Sequence, residues 1–165
     1  MNYAKLYSCD IANGPGWRVS LFVSGCRQHC TGCFNPEAWD FNHGKKFSWE
    51  TIHEIERLVN EPHIKGLSIL GGEPFEPENQ LEVEALCGYI KEKCPGKDIW
   101  IWTGYDFIED DLINSPVMRY IDILVDGRFE EGLKDLRLKY RGSSNQRIID
   151  VSKSVEHGCA IRWED

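Results

Sequence analysis

No apolar run in this chain approaches the roughly 20 residues that a membrane-crossing helix needs. Met1-Asn2-Tyr3-Ala4-Lys5 lacks a signal-peptide core, so neither membrane nor export is expected. Positive charge is scarce too. Lys and Arg number 19 against 27 Asp and Glu, and the formal charge of -8 argues against nucleic acid as a partner. The seven cysteines are odd in number and unevenly spaced. That excludes complete internal pairing and fits a reducing, cytoplasmic setting better than a secreted disulfide framework. Internal repeats, low-complexity tracts and linkers are missing. With 165 residues and 41% hydrophobic composition, residues 1–165 read as one folded domain with one core.

The apolar runs that do exist are short and regularly placed. Tyr3–Cys9 reads as an edge strand, turned at Asn13-Gly14-Pro15-Gly16, and Trp17–Ser24 as a strand buried on both faces. Phe34–Phe47 reads as loop. Ser48 is positioned to cap a helix whose apolar face is Ile52, Ile55, Leu58 and Val59, with Pro62 as its limit. Leu67–Leu70 is a second core strand. Pro77 opens a helix with stripes at Leu81, Ala85, Tyr89 and at Val83, Leu86, Ile90, which Pro95-Gly96 stops. Asp98–Trp102 gives a third core strand, Phe107–Asn114 a short helix, Tyr120–Val125 a fourth strand, and Ile148–Val151 a last one. Alternating strands and helices predict an α/β fold with parallel strands and right-handed crossovers. A complete eight-unit barrel typically needs more than about 200 residues, so the expectation is a partial, laterally open β/α barrel.

Cys26, Cys30 and Cys33 fall on the loop leaving the first core strand, where α/β proteins usually keep their chemistry. Three thiolates can hold three corners of a [4Fe–4S] cubane and leave one iron open. The competing reading is structural zinc, with His29 or His43 as fourth ligand. Zinc sites often add a second cysteine knuckle, and this chain has none. Cys9, Cys87, Cys94 and Cys159 read as packed or surface thiols.

The spacing Cys26-Arg27-Gln28-His29-Cys30-Thr31-Gly32-Cys33 resembles the signature of radical S-adenosylmethionine enzymes. Asn13-Gly14-Pro15-Gly16-Trp17-Arg18, Phe22–Cys26, Cys33-Phe34-Asn35-Pro36-Glu37, Trp102-Thr103-Gly104-Tyr105, Asp126-Gly127-Arg128-Phe129 and Arg141–Arg147 narrow the resemblance. Together they are similar to the family that activates anaerobic ribonucleoside-triphosphate reductase. The resemblance implies an oxidoreductase using a [4Fe–4S] cluster, S-adenosylmethionine and an external low-potential electron donor such as a flavodoxin. Reductive cleavage of the cofactor would form a 5′-deoxyadenosyl radical that takes hydrogen from a glycine of the reductase, leaving a glycyl radical. No side chain is implied as acid or base. Activation of another glycyl-radical enzyme, or a zinc-stapled interaction protein, stands as the alternative.

By the same resemblance Cys26, Cys30 and Cys33 bind the cluster, and Gly71, Gly72 and Glu73 position the methionyl amino group. Thr103 and Tyr105 face the adenosyl moiety, unless Tyr105 is a packed aromatic. Asp126 orients cofactor or the incoming loop, unless it merely caps a turn. Asn145 and Arg147 belong to a partner or substrate loop, for which a solvated turn is the plainer reading. A partial barrel would admit the partner's glycine through its open side.

Overall fold

The apolar runs become strands of a single sheet in the computed structural model, which describes residues 1–164. β1 (Asn2–Asp10) and β2 (Trp17–Val23) are antiparallel. β3 (Lys45–Lys46) precedes α1 (Trp49–Val59), and β4 (Ile64–Gly71) precedes α2 (Pro77–Lys93). β5 (Asp98–Trp102), β6 (Ile123–Asp126), β7 (Arg147–Asp150) and α3 (Val151–His157) complete the regular elements. The sheet order is β3-β1-β2-β4-β5-β6-β7. The central four, β2, β4, β5 and β6, are parallel, and β1, β3 and β7 pair antiparallel at the flanks.

Successive strand residues point to opposite faces, so each central strand feeds two environments. Val19, Leu21 and Val23 of β2, Leu67 and Ile69 of β4, Ile99 and Ile101 of β5 and Leu124 of β6 join one core. The same core takes Ile52, Ile55 and Val59 from α1 and Val83, Leu86 and Ile90 from α2. Each such side chain, fully buried, contributes about 1.5–3 kcal/mol. Only one of the two expected stripes of α2 is buried; Leu81 on the other is 76% exposed. The opposite face of the sheet carries Trp100, Ile123 and Val125, covered by Tyr140, Ile148 and Trp163.

Arg18 is fully buried beside this second face. It ion-pairs with Asp98 at 2.6 Å and donates to Ser68 Oγ at 2.7 Å and to the Leu67 carbonyl at 2.9 Å. Ser68 Oγ in turn donates to the Asn13 carbonyl at 2.6 Å, fastening the β1–β2 turn to β4.

Several boundaries differ from the sequence reading. β1 is not quite the edge, because the lysine pair of β3 covers its first residues, and exposed lysines there discourage further strand addition. No α-helix forms over 107–114; only 3-10 turns at Leu112–Asn114 and Pro116–Arg119 occur. Asp106 accepts the Ile108 and Glu109 amides as an N-cap does, but Asp111 is left-handed at φ 58° and Pro116 follows, so the helical run stops after a single turn. The fourth core strand starts at Ile123 rather than Tyr120. Helix α3 was not foreseen, although Asp150 caps it through the Lys153 amide and Gly158 closes it at φ 67°. No helix among the described residues is long and apolar enough to cross a membrane.

Candidate functional site

The cysteine loop starts where β2 stops, and backbone hydrogen bonds fix its first residues. The Gly25 amide donates to the Ala38 carbonyl at 2.8 Å and the Cys26 amide to the Trp39 carbonyl at 3.2 Å. The loop after β4 is stitched beside it. The Gly72 amide donates to the Val23 carbonyl at 2.7 Å and the Glu73 amide to the Gly25 carbonyl at 2.8 Å. Asn79, near the start of α2, spans both loops by donating to the carbonyls of Ser24 and Glu73. The close approach explains Gly72: a Cβ there would lie 2.6 Å from the Gly25 oxygen and 2.9 Å from that of Ala38. The expected cofactor-facing glycine is thus also a packing necessity.

Arg27 ties the loop from outside. Its amide and guanidinium donate to the buried Glu76 carboxylate, and the guanidinium reaches Glu78 as well. His29 stacks on Trp39 with ring centroids 4.5 Å apart, leaving it a loop support.

These loops open onto a cavity of about 490 Å³. Cys26, Cys30 and Cys33 line it together with Gly71, Gly72, Glu73 and Thr103. Its apolar wall includes Phe22, Leu70 and Trp102, from the ends of β2, β4 and β5. Sequence reasoning missed that wall. The strand alternation that buries Val23, Ile69 and Ile101 on the helical side contains the signal. Gln28, also on the wall, packs against Gly104.

Glu73 is the charged group built most deeply into this wall. Its carboxylate accepts from Thr103 Oγ1 and the Gly104 amide, each at 2.7 Å, and from the Phe75 amide at 3.0 Å. Burial nonetheless pushes it up to about 7, overriding the lowering effect of those donors. No ion pair joins it to a cation among the described residues. A positively charged ligand group would satisfy it.

Burial also pushes the Cys26 thiol up to about 11, so its thiolate needs a cation to form at neutral pH. Among the described residues no three His, Cys, Asp or Glu side chains converge as ligands of one metal ion. A cubane asks for something different, since its thiolates bind separate irons. Three thiols on one cavity wall match the three corners of a cubane that leaves one iron open.

Tyr105, Asp126, Asn145 and Arg147 lie outside the cavity lining. Tyr105 packs against the main core. Asp126 is buried, accepts the Phe107 amide at 2.9 Å and pairs with Arg147, which also reaches Asp106 at 2.8 Å. Asn145 donates to the Arg128 carbonyl.

Residues 12–149 match a family model described as a 4Fe-4S single cluster domain. An anaerobic ribonucleoside-triphosphate reductase-activating protein of Enterobacteria phage T4 is 41% identical over 155 residues, covering 94% of this chain and 97% of the relative. Proteins of the same name from Escherichia coli K12 and Vibrio cholerae are 45% and 43% identical, each across 90% of this chain and 97% of their own length. The chain belongs to this family of reductase-activating proteins. Within the matched span, Cys87 and Cys94 are buried in the helical core. Cys26, Cys30 and Cys33 instead line the cavity.

Proposed function

We propose that this protein activates anaerobic ribonucleoside-triphosphate reductase by radical S-adenosylmethionine chemistry, on a laterally open, partial β/α barrel. One observation carries the reading: three thiols and a buried carboxylate with no cationic side chain paired to it among the described residues share one cavity at the C-terminal ends of parallel strands. When bound, the [4Fe–4S] cluster would pass one electron from an external donor to S-adenosylmethionine, breaking its sulfur–C5′ bond to give methionine and 5′-deoxyadenosine, the latter carrying the hydrogen atom taken from a glycine of the reductase.

The chain's own residues have separable tasks. Cys26, Cys30 and Cys33 would hold the cluster, three thiolates for four irons. Glu73 and the backbone of Gly71-Gly72 would receive the methionyl ammonium, with the carboxylate already aimed by Thr103 and Gly104. Phe22, Leu70 and Trp102 keep that end of the cavity apolar, which shields a reactive radical from water. Glycine suits as the target, because an α-carbon without a side chain can enter a narrow site.

The test is an anaerobic mixture of reconstituted protein, S-adenosylmethionine, reductant and reductase. The reading expects 5′-deoxyadenosine and a glycine-centred electron paramagnetic resonance signal that depends on every component. A zinc-loaded protein that cannot be rebuilt with iron and sulfide, and cleaves no cofactor, would refute it.

A further inference from the structure

Resting on that reading, we propose that Arg147 is a positioning residue for cofactor binding, acting through the loop after β5, and not a contact for the partner protein. Arg147 begins β7, and its Nε donates to Asp126 Oδ1 at 2.9 Å. Its Nη2 contacts Asp126 Oδ2 and reaches Asp106 Oδ2 at 2.8 Å. One guanidinium therefore clamps the end of β6 to the loop that follows β5. A planar fork suits that geometry, whereas a lysine ammonium is a single point charge.

The clamp leads to the cavity through bonds that are all present. Asp126 holds the Phe107 amide, and Asp106 holds those of Ile108 and Glu109. The Gly127 amide donates to the Tyr105 carbonyl at 3.0 Å and the Thr103 amide to the Val125 carbonyl at 2.9 Å. The loop fixed this way presents Thr103 Oγ1 and the Gly104 amide to Glu73, two of its three donors. Loosening the clamp frees the loop and misaims the carboxylate. Arg147 itself lies outside the cavity lining, so its influence passes through these contacts.

The experiment compares wild type, Arg147→Ala, Arg147→Lys and the charge-matched double variant Asp126→Asn/Arg147→Gln. The double variant avoids stranding a buried carboxylate. Binding of S-adenosylmethionine to cluster-loaded protein is measured by calorimetry, and amide hydrogen exchange is measured on the metal-free chain. Arg147→Ala should retain iron content, weaken binding about tenfold, the worth of one lost charge-assisted hydrogen bond, and speed exchange at Gly104 and Phe107. Arg147→Lys should recover part of both effects, and the double variant should resemble Arg147→Ala. Native affinity and native exchange in Arg147→Ala and the double variant, with only reductase activation lost, would overturn the positioning role in favour of a partner contact. A wild-type protein that loads a cluster yet binds no S-adenosylmethionine would instead sink the functional reading itself.

Discussion

Replacing Gly72 by Ala tests whether the two cavity loops depend on backbone contact. The new Cβ would stand 2.6 Å from the Gly25 oxygen and 2.9 Å from the Ala38 oxygen. Both are backbone atoms, so neither can swing aside as a side-chain end would. Gly25 and Ala38 are themselves hydrogen-bonded at 2.8 Å, next to the Cys26 amide bond, so relief of the clash must shift the root of the cysteine loop. Overpacking of this kind costs about 1–3 kcal/mol. For a domain of this size each kcal/mol lowers Tm by about 2–4 °C, which places the loss at about 2–12 °C. Thermal unfolding of the metal-free chain reads that cost, and iron content after reconstitution reads displacement of Cys26. Gly132→Ala is the control, because a Cβ there meets nothing within 4 Å. Equal Tm and equal iron loading in the two variants would refute the steric argument.

Alanine at Cys26, Cys30 or Cys33 should abolish a stable four-iron cluster, while serine at exposed Cys9 or Cys159 should leave iron and sulfide content unchanged. Glu73→Gln should alter the pH dependence of folding. The folded carboxyl, raised from 4.5 to about 7, holds its proton across a window in which the unfolded one releases it. Its contribution is full below the lower value and lost as pH rises through the upper, up to about 3 kcal/mol. The glutamine variant should flatten the denaturant-midpoint slope between those two values, and an unchanged slope would show that Glu73 does not titrate there. Arg18→Ala should destabilise the chain by about 3–5 kcal/mol in urea titration, since it breaks the pair with Asp98 and empties a fully buried site.

The central strands were legible because burial on both faces writes near-continuous apolar runs, as in Val19–Val23 and Ile99–Trp102. Helix α1 was legible from Ile52, Ile55 and Val59, and the cysteine loop from its spacing alone. The segment 107–114 was misread because its apolar spacing suits a helix, whereas the left-handed Asp111 and the following Pro116 end the run after one turn. Helix α3 offered only seven residues of weak amphipathicity, and its Asp150 and Gly158 ends are the stronger signals. The Asp126–Arg147 pair joins positions 21 apart on different strands. Nothing local in either segment announces such a partner, so both residues looked free to meet ligands. Asn79 was invisible for the same reason, since its two acceptors belong to different loops.

The central claim is that three protein thiolates leave one iron of a cubane available to S-adenosylmethionine. Electron paramagnetic resonance of the reduced, reconstituted protein, recorded with and without that cofactor, tests it most directly. The account predicts a cluster signal that changes shape and g-values when S-adenosylmethionine is added. A signal indifferent to the cofactor at saturating concentration would mean that no iron is open to it.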